Sequence, residues 1–464
     1  MQISVIGLGY VGLVTSACLA EWGHSVVGVD ANAKRRNALL HGTAPFYEPG
    51  LNDLVSKSVE SGRLRVSHSV SDAISDADAV ITAVGTHDGN GGWQSNTMLA
   101  CLTEIVPLLE SHTTLIVRST LPPEFVGRLA DVVRDLRAHR APLSVILNPE
   151  FTREGSALND FIHPDRVVIG VVDDHDGAGE RQVRELYRLA EAPILTMSGM
   201  DAAFAKLGSN LFLATKISFA NELARLCSLY GADIDTVVSA LGLDSRIGSS
   251  FLRAGIGFGG SCLPHQVRMT TEAASRHGID VPLLAAVDAI NHRQRDHFVE
   301  LLVAGLKDEV RGARIAILGL SFKPNTDDIR DAPALTIARR LVELGARPVA
   351  YDPMVTAREG AAAMVPGLEV VDSADAAIAG ANAVALVTEW SEFSQIDWIE
   401  AAERMAGHVI VDGRNILDGD ALVAAGFSYA GFGRRGSNIP LTTAAISYDR
   451  ARAPVGTDAG EVRT

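Results

Sequence analysis

Paired cysteines, an excess of positive charge, long apolar runs and a leader-like start are all missing from this sequence of 464 residues. Its four cysteines (Cys18, Cys101, Cys227 and Cys262) are widely spaced and include no CxxC pair. That excludes a disulfide framework and a zinc site, and no metal is expected. Lysine and arginine number 41 against 56 aspartates and glutamates, a formal net charge of −15. Such a chain repels polyphosphate at long range, which argues against nucleic acid or an anionic membrane as partner. A small anion is still allowed where local cations and helix ends hold it. No apolar run reaches the roughly 20 residues needed to cross a bilayer. The N-terminus enters a strand pattern at once, without a basic region or cleavage site, so a soluble, cytoplasmic protein is expected.

What is present is ordinary globular material, 47% hydrophobic and 21% charged, enough for about three domains. From Met1, MQISVIGLGYVGLVTSACLAEWGHSVVGVD reads strand, glycine turn, helix, strand. Further apolar runs follow at 78–84, 114–120, 143–148 and 166–172. Strands alternating with helices predict a parallel sheet with crossovers. Over 200–240 a long helical period takes over, with Phe204, Leu207, Leu211, Ile217, Leu223, Leu226 and Tyr230 available for a buried stripe. Strand signals return near 313, with ARIAILGL, a helix over 332–345, RPVAYDP, ANAVALVTEW and HVIVDGRN. The fold class is therefore α/β: two Rossmann-like, doubly wound parallel-sheet domains joined by a helical middle domain with a long central helix. The boundaries are 1–199, 200–308 and 309–450, with a small, polar tail over 451–464 that is expected to fray.

Gly7-Leu8-Gly9-Tyr10-Val11-Gly12 fits GxGxxG between a strand and a helix. Gly7 permits the tight turn, Gly9 lets backbone approach a pyrophosphate, and Gly12 lets helix and strand pack closely. Asp30 ends the second strand, where an acid would bind ribose hydroxyls and repel a 2′-phosphate; this favours NAD over NADP, with Arg35 as a partial counter-signal. The second sheet keeps only Gly319 and Leu320 of this pattern, so one dinucleotide site is expected. Cys262 lies in a glycine-rich loop, FLRAGIGFGGSCLP, that would expose a thiol able to attack an aldehyde. Cys18 and Cys227 read as buried apolar positions, and Cys101 as structural. Lys206 and Asn210 share a helix face and could bind an oxyanion, although a lone helix lysine is more commonly solvated. Asn148 to Gly155 (NPEFTREG) ends a strand, where Glu150 and Glu154 could order water or sugar hydroxyls or could simply form a capping turn. Lys323 and Arg330 bracket a loop at another strand end. They could pair with phosphate or a carboxylate, or form salt bridges with Asp327 and Asp328.

Taken in order, VIGLGYVGL, EPGL (48–51), NPEFTREG, DFIHPDRVVIG (160–170), LFLATKISFANE (211–222), FLRAGIGFGGSC, LGLSFKPNTDDIRDAPAL (318–335) and VDGRN (411–415) resemble the UDP-glucose/GDP-mannose dehydrogenase family from Met1 to about residue 435. PDRVVIG is similar to its UDP-glucose branch. The resemblance implies a four-electron oxidation at C6 of a nucleotide sugar, UDP-glucose first among candidates, with two NAD molecules acting in turn. Cys262 would capture the aldehyde and carry the thioester. It implies Gly7, Gly9, Val11, Gly12, Asp30, Arg35, Thr86, Thr120, Glu154, His265 and Arg330 on the cofactor side. Glu150, Phe151, Thr152, Arg153, Glu154, Lys206, Asn210, Phe251, Leu252, Arg253, Ala254, Gly255, Gly259 and Lys323 would lie on the substrate side. Cys262, Lys206, Asn210, Glu154, Thr120 and Gln266 would carry the chemistry. It also implies a homodimer through the central helices. Another nucleotide sugar such as dTDP-glucose, or a non-catalytic binder, stands as the alternative.

Three positions depart from the family pattern. Gln266 replaces an aspartate that organises water, and it cannot accept that water's proton, leaving Glu154 or His265 for the task. Ala203 replaces a glutamate, and Gly85-Thr86-His87 replaces Gly-Thr-Pro ahead of an unusual DGNGGWQ stretch.

Overall fold

The computed structural model describes residues 1–86 and 93–439; His87 and the expected tail lie outside the described residues. The chain divides into two compact units. The first comprises Met1–Leu213, Cys262–Leu284 and Pro324–Asp327. Its sheet has eight strands: β1 (Gln2–Ile6), β2 (Ser25–Val29), β3 (Leu64–Val66), β4 (Ala79–Thr82), β5 (Thr114–Val117), β6 (Ser144–Leu147), β7 (Val167–Asp173) and β8 (Ile194–Ser198), in the order β3-β2-β1-β4-β5-β6-β7-β8. Alternate side chains feed two core layers. Ile3, Val5, Ile81, Ile116 and Ile146 face one; Ile6, Val80, Leu115, Val117 and Leu147 face the other. A sheet covered on both faces explains why the strands read as unbroken apolar runs.

The expected all-parallel sheet needs one correction. β7 runs antiparallel to β6, with Leu147 opposite Gly170, and β8 follows β7. The connection never crosses the sheet as a βαβ unit would. It turns back beside the end of β6, where the Asn148 side chain donates from Nδ2 to the Val168 carbonyl at 2.8 Å and fastens the returning strand.

The second unit comprises Ala214–Ser261, Ala285–Lys323 and Asp328 onward. Its strands are β9 (Arg314–Leu318), β10 (Arg347–Tyr351), β11 (Glu369–Val370), β12 (Ala383–Leu386), β13 (Val409–Asp412) and β14 (Ser428–Gly431). Every pairing in its sheet is parallel, in the order β11-β10-β9-β12-β13-β14. This repeats the arrangement of the first six strands of the other unit.

The long helix runs Gly199–Tyr230, about 48 Å at 1.5 Å per residue. No proline interrupts it. Ser198 caps its start by accepting from the Asp201 N–H while its hydroxyl donates back to Asp201. Gly231, at φ +71°, follows its end. The expected buried stripe is seen in part, with Leu211, Ile217 and Leu223 half-buried. Leu207 is buried, but Phe204, Leu226 and Tyr230 are exposed, and the buried positions are chiefly small: Ala202, Ala203, Ala214, Ala220 and Ala224. Small residues let neighbouring elements approach closely, which leaves the large side chains on the outer face.

Candidate active site

The glycine turn of the first unit has the geometry a dinucleotide needs. Gly7 adopts φ +96°. A Cβ on Gly12 would lie 1.8 Å from the Gly7 carbonyl oxygen, so only glycine lets that helix leave the strand so closely. At Gly9 an added Cβ would meet nothing nearer than the Arg35 guanidinium at 3.9 Å. Its backbone faces open space of the kind a pyrophosphate fills, at the start of the buried helix Tyr10–Glu21. Asp30 accepts from the Leu8 N–H and the Asn32 N–H, each at 2.7 Å. Arg35 stands 3.5 Å from the same carboxylate, so the counter-signal is a partner of the acid. These residues fit NAD.

Two threonines from neighbouring strand ends meet nearby in the chain's topology: Thr86 follows β4, Thr120 follows β5, and the Thr86 hydroxyl donates to the Thr120 carbonyl at 2.7 Å. Beyond β6, Glu150 is buried and fully engaged. One carboxylate oxygen accepts from the Lys206 ammonium at 2.8 Å, the other from the N–H and hydroxyl of Thr152, both at 2.7 Å. Burial pushes the Glu150 carboxyl up. The charge and hydrogen bond of Lys206, the Thr152 hydroxyl and the nearby Arg118 outweigh it and hold the group below the usual range. Lys206 is only 4% exposed, so the solvated reading of this lysine fails.

One helical turn beyond Lys206, Asn210 donates from Nδ2 to Gln266 Oε1 at 3.0 Å, with both side chains buried. Gln266 sits one turn into the helix Leu263–Arg276, whose N-cap residue is Cys262. Of the four cysteines, Cys262 alone is exposed. Burial pushes the thiols of Cys18 and Cys101 up to about 12, as suits inert core residues. Cys262 instead is exposed at the N-cap of its helix, where the thiol is open to a ligand.

Arg153 is exposed and forms a two-point pair with Asp160 at 2.6 and 2.9 Å. Arg330, in the second unit, forms the same kind of pair with Asp328, the salt-bridged alternative. In the second unit the side chains of Leu252 and Ala254 are buried beside Ala224, Cys227 and Ile234, so only their backbone is available to a ligand. Phe251 adopts φ +62°, and Gly255 donates its N–H to Asn221 Oδ1 at 2.8 Å. An added Cβ would lie 2.5 Å from the Gly413 carbonyl oxygen at Gly255 and 2.5 Å from that of Asp331 at Gly259. Lys323 lies 5.5 Å from the Phe322 ring centroid.

Two arginines without an expected role also lie in this region, Arg118 near Glu150 and Arg166 over the Phe151 ring. Arg118, buried after β5, donates to Asn148 Oδ1 at 2.7 Å and to the Tyr187 hydroxyl at 2.6 Å. Arg166 lies 3.9 Å from the Phe151 ring centroid and donates to Ser209 of the long helix at 3.2 Å. Partners that lie 30 to 69 positions apart leave no local pattern.

Residues 1–191 match the UDP-glucose/GDP-mannose dehydrogenase family, NAD binding domain; residues 200–293 match its central domain and 316–419 its UDP binding domain. The UDP-glucose 6-dehydrogenase of Rhizobium meliloti is 40% identical, over 94% of this chain and 100% of the relative. The chain belongs to the UDP-glucose/GDP-mannose dehydrogenase family. Another member, the UDP-glucose 6-dehydrogenase of Pseudomonas aeruginosa, is 39% identical over 94% of this chain and 98% of its own. Among solved structures, a UDP-glucose dehydrogenase from Pyrobaculum islandicum shares 35% identity at TM-score 0.85, covering 93% of this chain and 97% of that one. The family's NAD-binding domain thus coincides with the glycine turn and Asp30. Among the described residues, no helix is long and apolar enough to cross a membrane and no cluster of His, Cys, Asp and Glu could hold a metal ion.

Proposed function

We propose that this family member oxidises C6 of UDP-glucose to the uronic acid by two successive two-electron steps on Cys262. The observation that carries this reading is the chain of side chains Glu150–Lys206 and Asn210–Gln266, with exposed Cys262 at the head of the Gln266 helix. NAD, when bound, is the electron acceptor for each oxidation. The residues of the chain do the rest. The Lys206 ammonium, held by Glu150, and the Asn210 amide stabilise the oxygen of C6 as negative charge gathers there. Cys262 Sγ adds to the aldehyde carbon, forming a C–S bond, and the former carbonyl oxygen takes up a proton. Oxidation of that thiohemiacetal leaves a thioester. Water then adds to its carbonyl carbon and the C–S bond breaks, returning the thiol and releasing the carboxylate. Gln266 holds this water by hydrogen bonds, and Glu154 or His265 takes its proton.

The division of labour follows the three segments. Residues 1–199 hold NAD, 200–308 carry the cysteine loop, and 309–450 hold the nucleotide, with backbone at Phe251–Gly255 and Gly259, and Lys323, on the substrate side. The protein acts in the cytoplasm as a homodimer through the long helix. Phe204, Phe212, Phe219 and Leu226 recur along it at seven- or eight-residue spacing and are all exposed in the single chain, Phe212 by 65%. The neutral Gln266 favours a second reading, a non-catalytic nucleotide-sugar binder. A panel of nucleotide sugars assayed for NADH per sugar separates the two. Two NADH and a carboxylate from UDP-glucose, abolished by Cys262→Ala, are expected. Binding with no NADH supports the second reading, and full yield from dTDP-glucose alone moves the substrate.

A further inference from the structure

EPGL, at 48–51, is among the motifs that the proposed chemistry leaves without a task. Glu48 is 3% exposed, yet its carboxylate takes donors from two distant segments. One oxygen accepts from the Tyr10 hydroxyl and from the Gly155 N–H, the latter at 2.6 Å; the other accepts from the Ala157 N–H at 2.7 Å. Tyr10 is the first residue of the helix behind the glycine turn. Gly155 directly follows Glu154. We infer that Glu48 is a positioning residue that ties the Tyr10 end of the cofactor turn to the backbone at 155–157 and so fixes Glu154 for its part in catalysis, an inference that rests on the function proposed above.

Three features support it. A buried carboxylate is retained only where its oxygens are satisfied, and here backbone N–H groups and a phenol do that together. Gly155 is held from its other side too: at φ +80° its missing Cβ would lie 2.9 Å from the Asn325 carbonyl oxygen, so the loop has little freedom to absorb a lost bond. Burial, then the Glu48 hydrogen bond and charge, then the Glu154 charge push the Tyr10 phenol far above its ordinary value. Tyr10 therefore stays a donor across the working pH range. The charged groups facing Tyr10 in that balance are Glu48 and Glu154.

The test uses the full chain and Glu48→Gln, which places an amide NH₂ against one of the two backbone N–H donors. Hydrogen exchange needs no turnover. In Glu48→Gln the amides of 153–157 should exchange at least tenfold faster than in the parent, while the strands of both sheets keep their rates; unchanged exchange at 153–157 overturns the inference. Turnover then asks what the tie is for. Glu48→Gln should lower kcat for NADH production at least tenfold and change the NAD dissociation constant less than threefold. In a Glu154→Gln background it should have no further effect on kcat, because it acts through that residue. A fall that simply multiplies with Glu154→Gln indicates a merely structural role and overturns the proposal. Tyr10→Phe, which keeps both backbone bonds, gives a milder arm of three- to tenfold in kcat if Glu48→Gln fails to fold; no loss in that arm also overturns it. A parent that makes no NADH refutes the proposed function, while the exchange experiment still decides the tie.

Discussion

Replacing Lys206 with methionine removes one half of a dry ion pair and leaves the other in place. Glu150 Oε1 lies 2.8 Å from the ammonium, and both side chains are nearly sealed from solvent, at 5% and 9% exposure. Breaking a pair in such a setting costs about 3–5 kcal/mol, most of it the penalty of an uncompensated buried carboxylate. The Thr152 N–H and hydroxyl still reach the other oxygen and keep the estimate near the lower end. The dependence on pH has a definite sign. In the parent, Glu150 is held below its ordinary pKa, so its contribution to stability is complete above the unfolded carboxyl value near ~4.3 and is lost as pH falls through the lower folded value. In Lys206→Met burial prevails and the carboxyl rises, so the gap between variant and parent is widest at neutral pH and narrows as the solution is acidified. Urea denaturation at pH 7 and pH 4.5 measures both gaps. Adding Glu150→Gln should recover roughly half of the pH 7 deficit, because the double variant no longer buries a lone charge. A Lys206→Met protein within about 1 kcal/mol of the parent at pH 7 would show that the pair is not desolvated and would refute the reasoning.

Three further outcomes are expected. Gln266→Asp places a proton-accepting carboxylate one turn from Cys262 and should raise steady-state turnover about tenfold or more if thioester hydrolysis limits the rate; stopped-flow traces would lose their NADH burst, and an unchanged or slower rate would count against a missing base. Gly12→Ala brings a methyl group against the Gly7 carbonyl, so thermal melts should register a loss of about 1–3 kcal/mol, and NAD binding by titration calorimetry should vanish; normal affinity would mean that the turn relaxes freely. Arg118→Met deletes a buried cation that helps keep Glu150 ionised, so the acid limb of the kcat profile should move to higher pH, with Arg118→Lys in between; coincident profiles would remove Arg118 from the account.

What could be read from sequence was whatever depends on neighbours along the chain. The glycine turn with Asp30, both sheets, the long helix and the exposure of Cys262 all rest on local periodicity or on a short motif. The turn-back of β7 depends on where the Asn148 side chain finds an acceptor 20 positions away. The burial of Lys206 depends on a carboxylate 56 positions away. Helical period identified a face of the long helix but not its direction, because alanines and large apolar residues repeat with the same spacing and close packing favoured the alanines. Arg153 and Arg330 pair with acids seven and two positions away, close enough in sequence for such pairs to be anticipated.

The second unit carries the same turn under a different arrangement of its acid. Gly319 has φ +96° as Gly7 does, and the N–H groups of Leu320 and Ser321 donate to Asp352 at 2.7 and 2.9 Å, as that of Leu8 does to Asp30. Asp352, however, is 0% exposed, with the Trp390 indole N–H at 3.2 Å from the same oxygen. The same glycine–aspartate turn thus occurs twice in a single polypeptide, its acid slightly exposed in the first unit and walled in beside the indole in the second. Identical aspartate-to-asparagine changes in the two halves would injure different things: in the first, the ability to hold a nucleotide; in the second, the wall itself.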